Sequence, residues 1–569
     1  MKALRPGKSY DHYYRFAEIE EILHDYAERY PDYCRLTSLV KTEQGRDMWM
    51  LSITNTATGG FEDKPGYCTV GCIHSAEVCG MMSVMFFADH LLTNRLDDEA
   101  TRKLLDTYTV YCIPCASPDG MEFFYANGCV RSGLTPYPPV DVLPDGIYPE
   151  DVDGDGAIRI MRIKDPNGLF KKSKLDDRLM VRRDYDEVEG EFYSCYTEGR
   201  VKGSSRLKDL RDADPWDDPL GRFRNDFNRD FPGTWAPPSK QKGAGEYPLH
   251  NPETKALADL LLDYRNIGAF ASYHVDGGVF LYPPSGCSPD QCDRGDLRRY
   301  KLIGEIATEE TGYENCNINE IFGNSHGGID DYVYGVRGVF CCSIEAWDTQ
   351  IRAGVTPKWK MKENMAKTPT DHEMDEYKML QWVDREFPEG RYKRWEAFNH
   401  PDLGEVEIGG YDWRWDMFNP PIKFLYQEVE KLSRFMFRHV CCLPKIDIDE
   451  VSVNKRRDGL YDIEAVVINR RFLPTNVTQE AVKLGEVKPD VVSLQGAECL
   501  GSSAVQAIGF LAGSSVSMAM PAHGKWRNFG HEKMYKTVRW TVAAEPGTKI
   551  TITAKSQRAG RAEAVVELK

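Results

Sequence analysis

A chain of 569 residues exceeds one ordinary domain, and a hydrophobic fraction of 41% is enough to bury a sizeable core. The net charge of −16, from 72 basic and 88 acidic residues, disfavours nucleic acid or an anionic membrane surface as the main partner. No run approaches the roughly 18 uninterrupted apolar residues of a membrane span. The start, Met1-Lys2-Ala3-Leu4-Arg5, has no apolar segment behind it, so no secretory signal is expected. The 16 cysteines are scattered, and many, such as Cys68, Cys72, Cys341 and Cys342, sit inside apolar runs. That is the habit of reduced core thiols, not of a disulfide framework, and the chain reads as cytoplasmic. Cys112-x-x-Cys115 is a lone pair inside a strand-like run, without the second pair a zinc knot needs.

Residues 10–35 carry Phe16, Ile19, Ile22, Leu23 and Tyr26 at spacings of three and four, which predicts a helix. Residues 36–40 and 48–53 predict strands joined by a hairpin turn at Gln44-Gly45-Arg46-Asp47. An apolar run over 67–73 predicts a buried strand that stops at His74, with Glu77 three residues on and an apolar helix over 78–92. An imidazole and a carboxylate so spaced beyond a strand end can converge on zinc, which takes N and O ligands at about 2.0–2.2 Å. Alone, the pair is a weak signal.

Residues 108–115 predict another buried strand, ending at a turn, Ser117-Pro118-Asp119-Gly120. From about 127 to 225 the chain reads as a long irregular insertion containing Pro136-Tyr137-Pro138-Pro139 and Asp151-Val152-Asp153-Gly154-Asp155-Gly156. The second stretch has the spacing of the first half of a calcium loop. Arg159 and Arg162 occupy the ninth and twelfth positions, however, so a self-bonded Asp/Gly turn is expected.

Residues 256–266 and 300–311 predict helices, and 267–273 a strand that stops at His274. Gly327-Gly328 opens a loop into Asp331–Gly335, and 338–344 predict a last apolar strand ending at Glu345. The alternation predicts an α/β domain with a mixed sheet over residues 1–445. A charged section rich in Trp and Tyr over 355–418 reads as a surface wrapping, followed by a helix from Pro420-Pro421 through His439. From 446 to 569, short β-rich runs between Gly, Pro and Asn turns predict a small all-β sandwich. His74 with Glu77, His274 and Glu345 all stand at the ends of apolar strands, where open α/β sheets bind ligands, so they can share one crevice.

Six fragments in order carry a resemblance: His74-Ser75-Ala76-Glu77, Ser117-Pro118-Asp119-Gly120, Phe227-Asn228-Arg229-Asp230, Ser272-Tyr273-His274, Gly328-x-x-Asp331-Tyr332-Val333-Tyr334 and Ser343-Ile344-Glu345. Together with Glu43-Gln44-Gly45-Arg46-Asp47-Met48-Trp49 they resemble the zinc metallocarboxypeptidases, the family of carboxypeptidase A, over about residues 10–440. The acidic insertion, Gly404–Gly410 and the C-terminal β region resemble a larger bacterial branch. The resemblance implies one Zn2+ per chain held by His74, Glu77 and His274, the ligand set known for carboxypeptidase A. It implies that zinc polarises the scissile carbonyl and acidifies water, with Glu345 as general base. It also implies that Asn228 and Arg229 hold the terminal carboxylate of a peptide, a task suited to arginine's planar fork. A second arginine should stabilise the oxyanion: Arg131 first, Arg162 as runner-up. Tyr334 matches a subsite tyrosine.

Two departures bear on specificity. Ala76 stands where many members carry arginine, and Ser117 where asparagine is usual. The expected activity is therefore hydrolysis of the C-terminal peptide bond, without nucleic acid or membrane partners. The alternative is an amidase of the same fold acting on peptidoglycan-like or acylated amino-acid substrates, and a non-catalytic binding module comes third.

Overall fold

Four strands with apolar side chains on both faces form the centre of the molecule: Thr109–Ile113, Gly66–Gly71, Ile267–Val275 and Phe340–Ala346. Such runs suit a parallel sheet covered on both faces, and these four are mutually parallel. Cys34–Lys41 and Asp47–Ile53 extend one side, and Val279–Tyr282 and Glu314–Asn317 the other, giving a mixed eight-stranded sheet. The computed structural model describes all residues except 1–3, 128–130, 136–143, 204–218, 220–223, 458, 517–520, 523–524 and 527–532, so the expected Pro136–Pro139 stretch lies outside the described residues.

Register levels the carboxyl ends of the central strands: Tyr273 lies opposite Gly71, and His274 opposite Glu345. The helix Val78–Thr93, buried from residue 78 to 92, packs on the sheet and is covered by Ile422–Cys442. At Gly80 a Cβ would lie 2.4 Å from the Tyr273 carbonyl oxygen, so glycine sets how closely this helix approaches the sheet. The helix expected over 10–35 spans Phe16–Arg29.

Three expectations are corrected. Ser117–Gly120 is not a free-standing turn: Pro118 opens a helix, Pro118–Asn127, where its missing N–H is harmless. The segment after Gly327-Gly328 is a helix, Ile329–Gly335, with Asp330 one turn ahead of Tyr334. The section 355–418 does not merely wrap the surface. Its strands Lys393–His400 and Gly404–Gly410 join Ile160–Lys164, Tyr193–Thr197, Phe170–Lys172 and Met180–Arg182 of the insertion in one six-stranded sheet. Short half-exposed strands that pair across 240-odd residues leave little local periodicity, which is why the region reads as irregular.

The C-terminal region forms two four-stranded antiparallel sheets around one apolar core that includes Ile463, Val467, Val492, Trp540 and Ile552. Leu460–Asn469 alternates between buried and half-buried positions along its whole length, the period-two pattern of a sandwich strand. The described cysteines are free thiols. No helix among the described residues is long and apolar enough to cross a membrane.

Candidate metal centre and substrate cleft

The chain leaves two catalytic-edge strands through non-glycine residues with left-handed backbone: Cys72 at φ +48° beyond Gly71, and Trp347 at φ +56° beyond Ala346. Such conformations cost on the order of 1–3 kcal/mol and persist where the surroundings over-determine them. Around Cys72 they do. The Ser117 hydroxyl donates to the Cys72 carbonyl at 2.6 Å, the Ser132 hydroxyl to that of Ile73 at 2.7 Å, and the Ser75 N–H to that of Arg131 at 2.7 Å. Asn419 closes the loop from the other side, donating to the Ala76 carbonyl at 2.9 Å and accepting from the Cys79 N–H at 3.2 Å.

This lacing brings His74, Glu77 and His274 together, all buried, with one ligand atom of each within 4.8 Å of the others. His74 Nδ1 lies 2.8 Å from Glu77 Oε1, and His274 Nδ1 lies 2.7 Å from Glu77 Oε2. The far nitrogens are engaged elsewhere: His74 Nε2 meets Asp226 Oδ1 at 3.0 Å, and His274 Nε2 meets the Ser272 hydroxyl at 2.7 Å. A carboxylate on Nε2 fixes the proton there and turns the Nδ1 lone pair of His74 towards the lone pairs of Glu77. With Nε2 engaged from behind, Nδ1 of each imidazole is the atom free to ligate beside the Glu77 carboxylate, and two imidazoles with one carboxylate are a zinc donor set, so the residues fit zinc.

Charge distribution tells the same story. Burial opposes the His74 imidazolium, yet the Glu77 and Asp226 carboxylates outweigh it and raise its pKa to about 10. Burial works against the Glu77 carboxylate, while His74 and His274 hold it down to about 2. Protons thus supply the positive charge that a dication would replace, so metal uptake here releases protons.

A cleft of about 330 Å³ opens over this centre, lined by Glu345, Arg131, Asn228 and Arg229 as well as His74, Glu77 and His274. Burial lifts the Glu345 carboxyl to about 8, with His274 opposing and Glu77 adding to the rise. Asn228 accepts the Ile329 N–H at 2.8 Å through its amide oxygen, which leaves its NH2 group for the cleft. The floor carries Asp330, whose carboxylate accepts the Ser343 hydroxyl at 2.9 and 3.0 Å, beside Leu281 and Ile318.

Two expected site residues lie elsewhere. Tyr334 is buried outside the cleft lining, edge-on to Tyr300, with its hydroxyl 3.2 Å from Asp296 Oδ2. Arg162 sits in the insertion sheet, opposite Glu407. Its guanidinium pairs with Glu407 at 2.9 Å and lies over the Trp395 and Tyr193 rings at 4.3 and 4.8 Å. Of the two arginines, Arg131 alone lines the cleft. The Asp151–Gly156 stretch is the self-bonded turn expected, with Asp151 accepting the Gly154 and Gly156 N–H groups at 2.8 Å.

Sequence reasoning passed over Asp226, Ser272 and Asp330. Ser272 was within reach, since residues two apart on a strand share a face. Asp226 precedes Asn228 by two positions, but nothing local ties it to His74 across 152 residues.

Residues 19–142 and 212–371 match a model for zinc carboxypeptidase, and residues 445–567 match one for a domain of unknown function. Carboxypeptidase D of Anas platyrhynchos is 29% identical over 124 residues, 22% of this chain and 9% of the relative. A zinc carboxypeptidase of Saccharothrix mutabilis subsp. capreolus is 29% identical over 128 residues, 22% of this chain and 28% of the relative. The chain thus spans less than a third of the length of the curated relatives it matches. A solved carboxypeptidase A from Helicoverpa armigera aligns at 15% identity over 66% of this chain and 73% of its own, with a TM-score of 0.39.

Proposed function

Because the chain belongs to the zinc carboxypeptidase family, we propose that it removes single residues from the carboxyl termini of peptides, with one zinc held by His74, Glu77 and His274. The observation that carries this reading is the convergence of those three residues, Glu345 and the Asn228–Arg229 pair in one cleft. When bound, zinc supplies a Lewis acid for the scissile carbonyl and lowers the pKa of water. Glu345 takes the proton of the attacking water and returns it to the leaving amine. Arg229 and the Asn228 NH2 group grip the terminal carboxylate, which orients the last peptide bond. Arg131 donates to the oxygen on which negative charge develops.

The cleft floor supports a finer reading. Asp330 is only 4% exposed and accepts from Ser343, and no lysine or arginine of the described residues forms an ion pair with it. A buried carboxylate without a cation is costly, and the guanidinium or ammonium of a substrate would remove that cost. Leu281 and Ile318 beside it suit the apolar stem of such a side chain. Peptides ending in Arg or Lys are therefore the proposed substrates.

Mass spectrometry of a mixed peptide pool, incubated with zinc-loaded and chelator-stripped protein, tests both levels. Zinc-dependent loss of terminal Arg and Lys ahead of Leu or Phe is expected. Loss of apolar residues first overturns the finer reading alone. An untouched pool overturns the carboxypeptidase reading and shifts the case to an amide of a modified or acylated amino acid.

A further inference from the structure

Among the described residues none of the C-terminal β region lines the cleft, and many of its contacts with the rest of the chain gather around one turn. Leu473 and Val477, from the segment between its second and third strands, are part of the core of the mixed-sheet domain rather than of their own sandwich. The short helix that follows, Gln479–Leu484, lies against the turn at Arg337–Gly338. Gly338 has φ +57°, and a Cβ there would stand 2.3 Å from Ala481 Cα, so the two backbones are in direct contact and only glycine permits it.

Polar contacts repeat the pattern. The Thr478 hydroxyl donates to the Gly338 carbonyl at 2.6 Å. Arg558 Nη1 donates to the same carbonyl at 2.6 Å and Nη2 to the Arg337 carbonyl at 2.8 Å. Arg558 is 3% exposed, and burial pushes its guanidinium down to about 9. Burying an arginine to hold two main-chain carbonyls is expensive, which marks the contact as built rather than incidental. Glu486 joins Arg265 and Arg337 at 2.8 and 2.9 Å. Gln479 and Glu480 N–H groups donate to the buried Asp296 carboxylate, which also accepts the Tyr334 hydroxyl.

Thr478, Arg558 and Ala481 act on the turn that leads into Phe340–Ala346, Glu486 reaches that turn through Arg337, and Asp296 passes its tie on to Tyr334 near the end of Ile329–Gly335. A seven-residue helix is about 10 Å long. At its other end lie Asp330, held to Ser343 of the following strand, and Asp331, which accepts the Ser285 N–H and hydroxyl at 2.8 and 2.7 Å. We infer that the C-terminal β region is a positioning clamp: through Arg558, Thr478 and the segment 473–486 it fixes the helix and strand that carry Asp330, Ser343 and Glu345, and so sets the shape of the cleft floor. Arg558 and Thr478 are positioning residues, acting through the 337–338 turn. Only the kinetic part of the test rests on the peptidase reading above.

The test compares Arg558→Met, Arg558→Lys and the milder Thr478→Ala in the full chain. Hydrogen–deuterium exchange should quicken over residues 329–346 in Arg558→Met and Thr478→Ala and be restored in part by Arg558→Lys, with zinc content unchanged. On peptides ending in Arg, KM should rise about tenfold in Arg558→Met with kcat changed less than about threefold, because the floor is loosened and the metal centre is not. Exchange that quickens only within 473–486 and 556–560, with residues 329–346 unaltered, overturns the clamp. If Arg558→Met fails to fold, Thr478→Ala decides by the same exchange criterion. If the parent protein cleaves no peptide, the peptidase reading falls while the exchange result still decides the clamp.

Discussion

Two clusters of metal-binding residue types stand among the described residues, and they differ in what their ligand atoms are already doing. In His74, Glu77 and His274 the far nitrogens are held by Asp226 and Ser272, while the near atoms face one another with nothing but a proton between them. In Asp151, Asp153 and Glu198 the oxygens are in use. Asp151 accepts two backbone N–H groups, and Glu198 accepts those of Val152 and Arg159 at 2.8 and 2.9 Å. Lys393 already places its ammonium 2.6 Å from Asp153 and 2.9 Å from Asp155. The first cluster offers a zinc donor set, and the second already has an ammonium among its carboxylates. Residue type and proximity do not make a metal site. Orientation of the ligand atoms from behind, by Asp226 and Ser272, does.

The comparison breaks most visibly if the metal is elsewhere. Zinc content should be one per chain, fall in His274→Ala, and stay unchanged in Asp153→Asn, as read by elemental analysis after dialysis. Glu345→Gln should keep its zinc and lose about 10²–10⁴-fold in kcat/KM. Zinc-replete Glu345→Gln with parental activity would remove Glu345 from the proton path. Next in size, Asp226→Asn should weaken zinc about 10–100-fold in a competition with a chromogenic chelator, since it releases His74 from behind.

Asp330→Ala should lower kcat/KM for peptides ending in Arg about 10–100-fold, the value of a hydrogen bond to a charged group, and leave those ending in Leu nearly unaffected. Equal loss on both would make Asp330 a structural residue only. The smallest effect concerns Glu198. Burial raises its carboxyl from 4.5 to about 7, while the Arg159 and Val152 N–H groups oppose the rise. A carboxyl raised in the folded state adds stability below its unfolded pKa and loses it as pH climbs through the folded one. Glu198→Gln should therefore melt with the parent near pH 4.5 and above it at pH 8, in thermal scans. Millimolar calcium should not close that gap, and a rise of the parent to meet the variant would make the acidic cluster a cation site after all.

What could be read in the sequence follows physical locality. The central strands announce themselves as unbroken apolar runs, and His74, His274 and Glu345 stand where such runs stop, with Glu77 three residues beyond His74, so the candidate metal centre was legible. Arg131 was legible through the motif upstream of it, and the structure sets it on the cleft. Tyr334 misled because a loop was read where Ile329–Gly335 is helical; its hydroxyl reaches Asp296, while Asp330, one turn earlier, lines the cleft. Arg162 misled because its partners, Trp395 and Glu407, are supplied by strands far downstream. Short charged strands carry no period of their own; their pattern exists only in the pair.

That long-range pairing has a consequence for how the molecule is made. Ile160–Lys164 cannot complete its sheet until Gly404–Gly410 has left the ribosome, about 240 residues later. At about 5–20 residues per second, this is a wait of roughly 12–48 s, during which Arg162 has neither its carboxylate nor its indole. The insertion is then not a cassette added to a finished enzyme. It is an early-made half of a joint whose other half arrives much later, so a chain truncated before residue 404 would expose an unpaired sheet edge and meet the quality-control machinery.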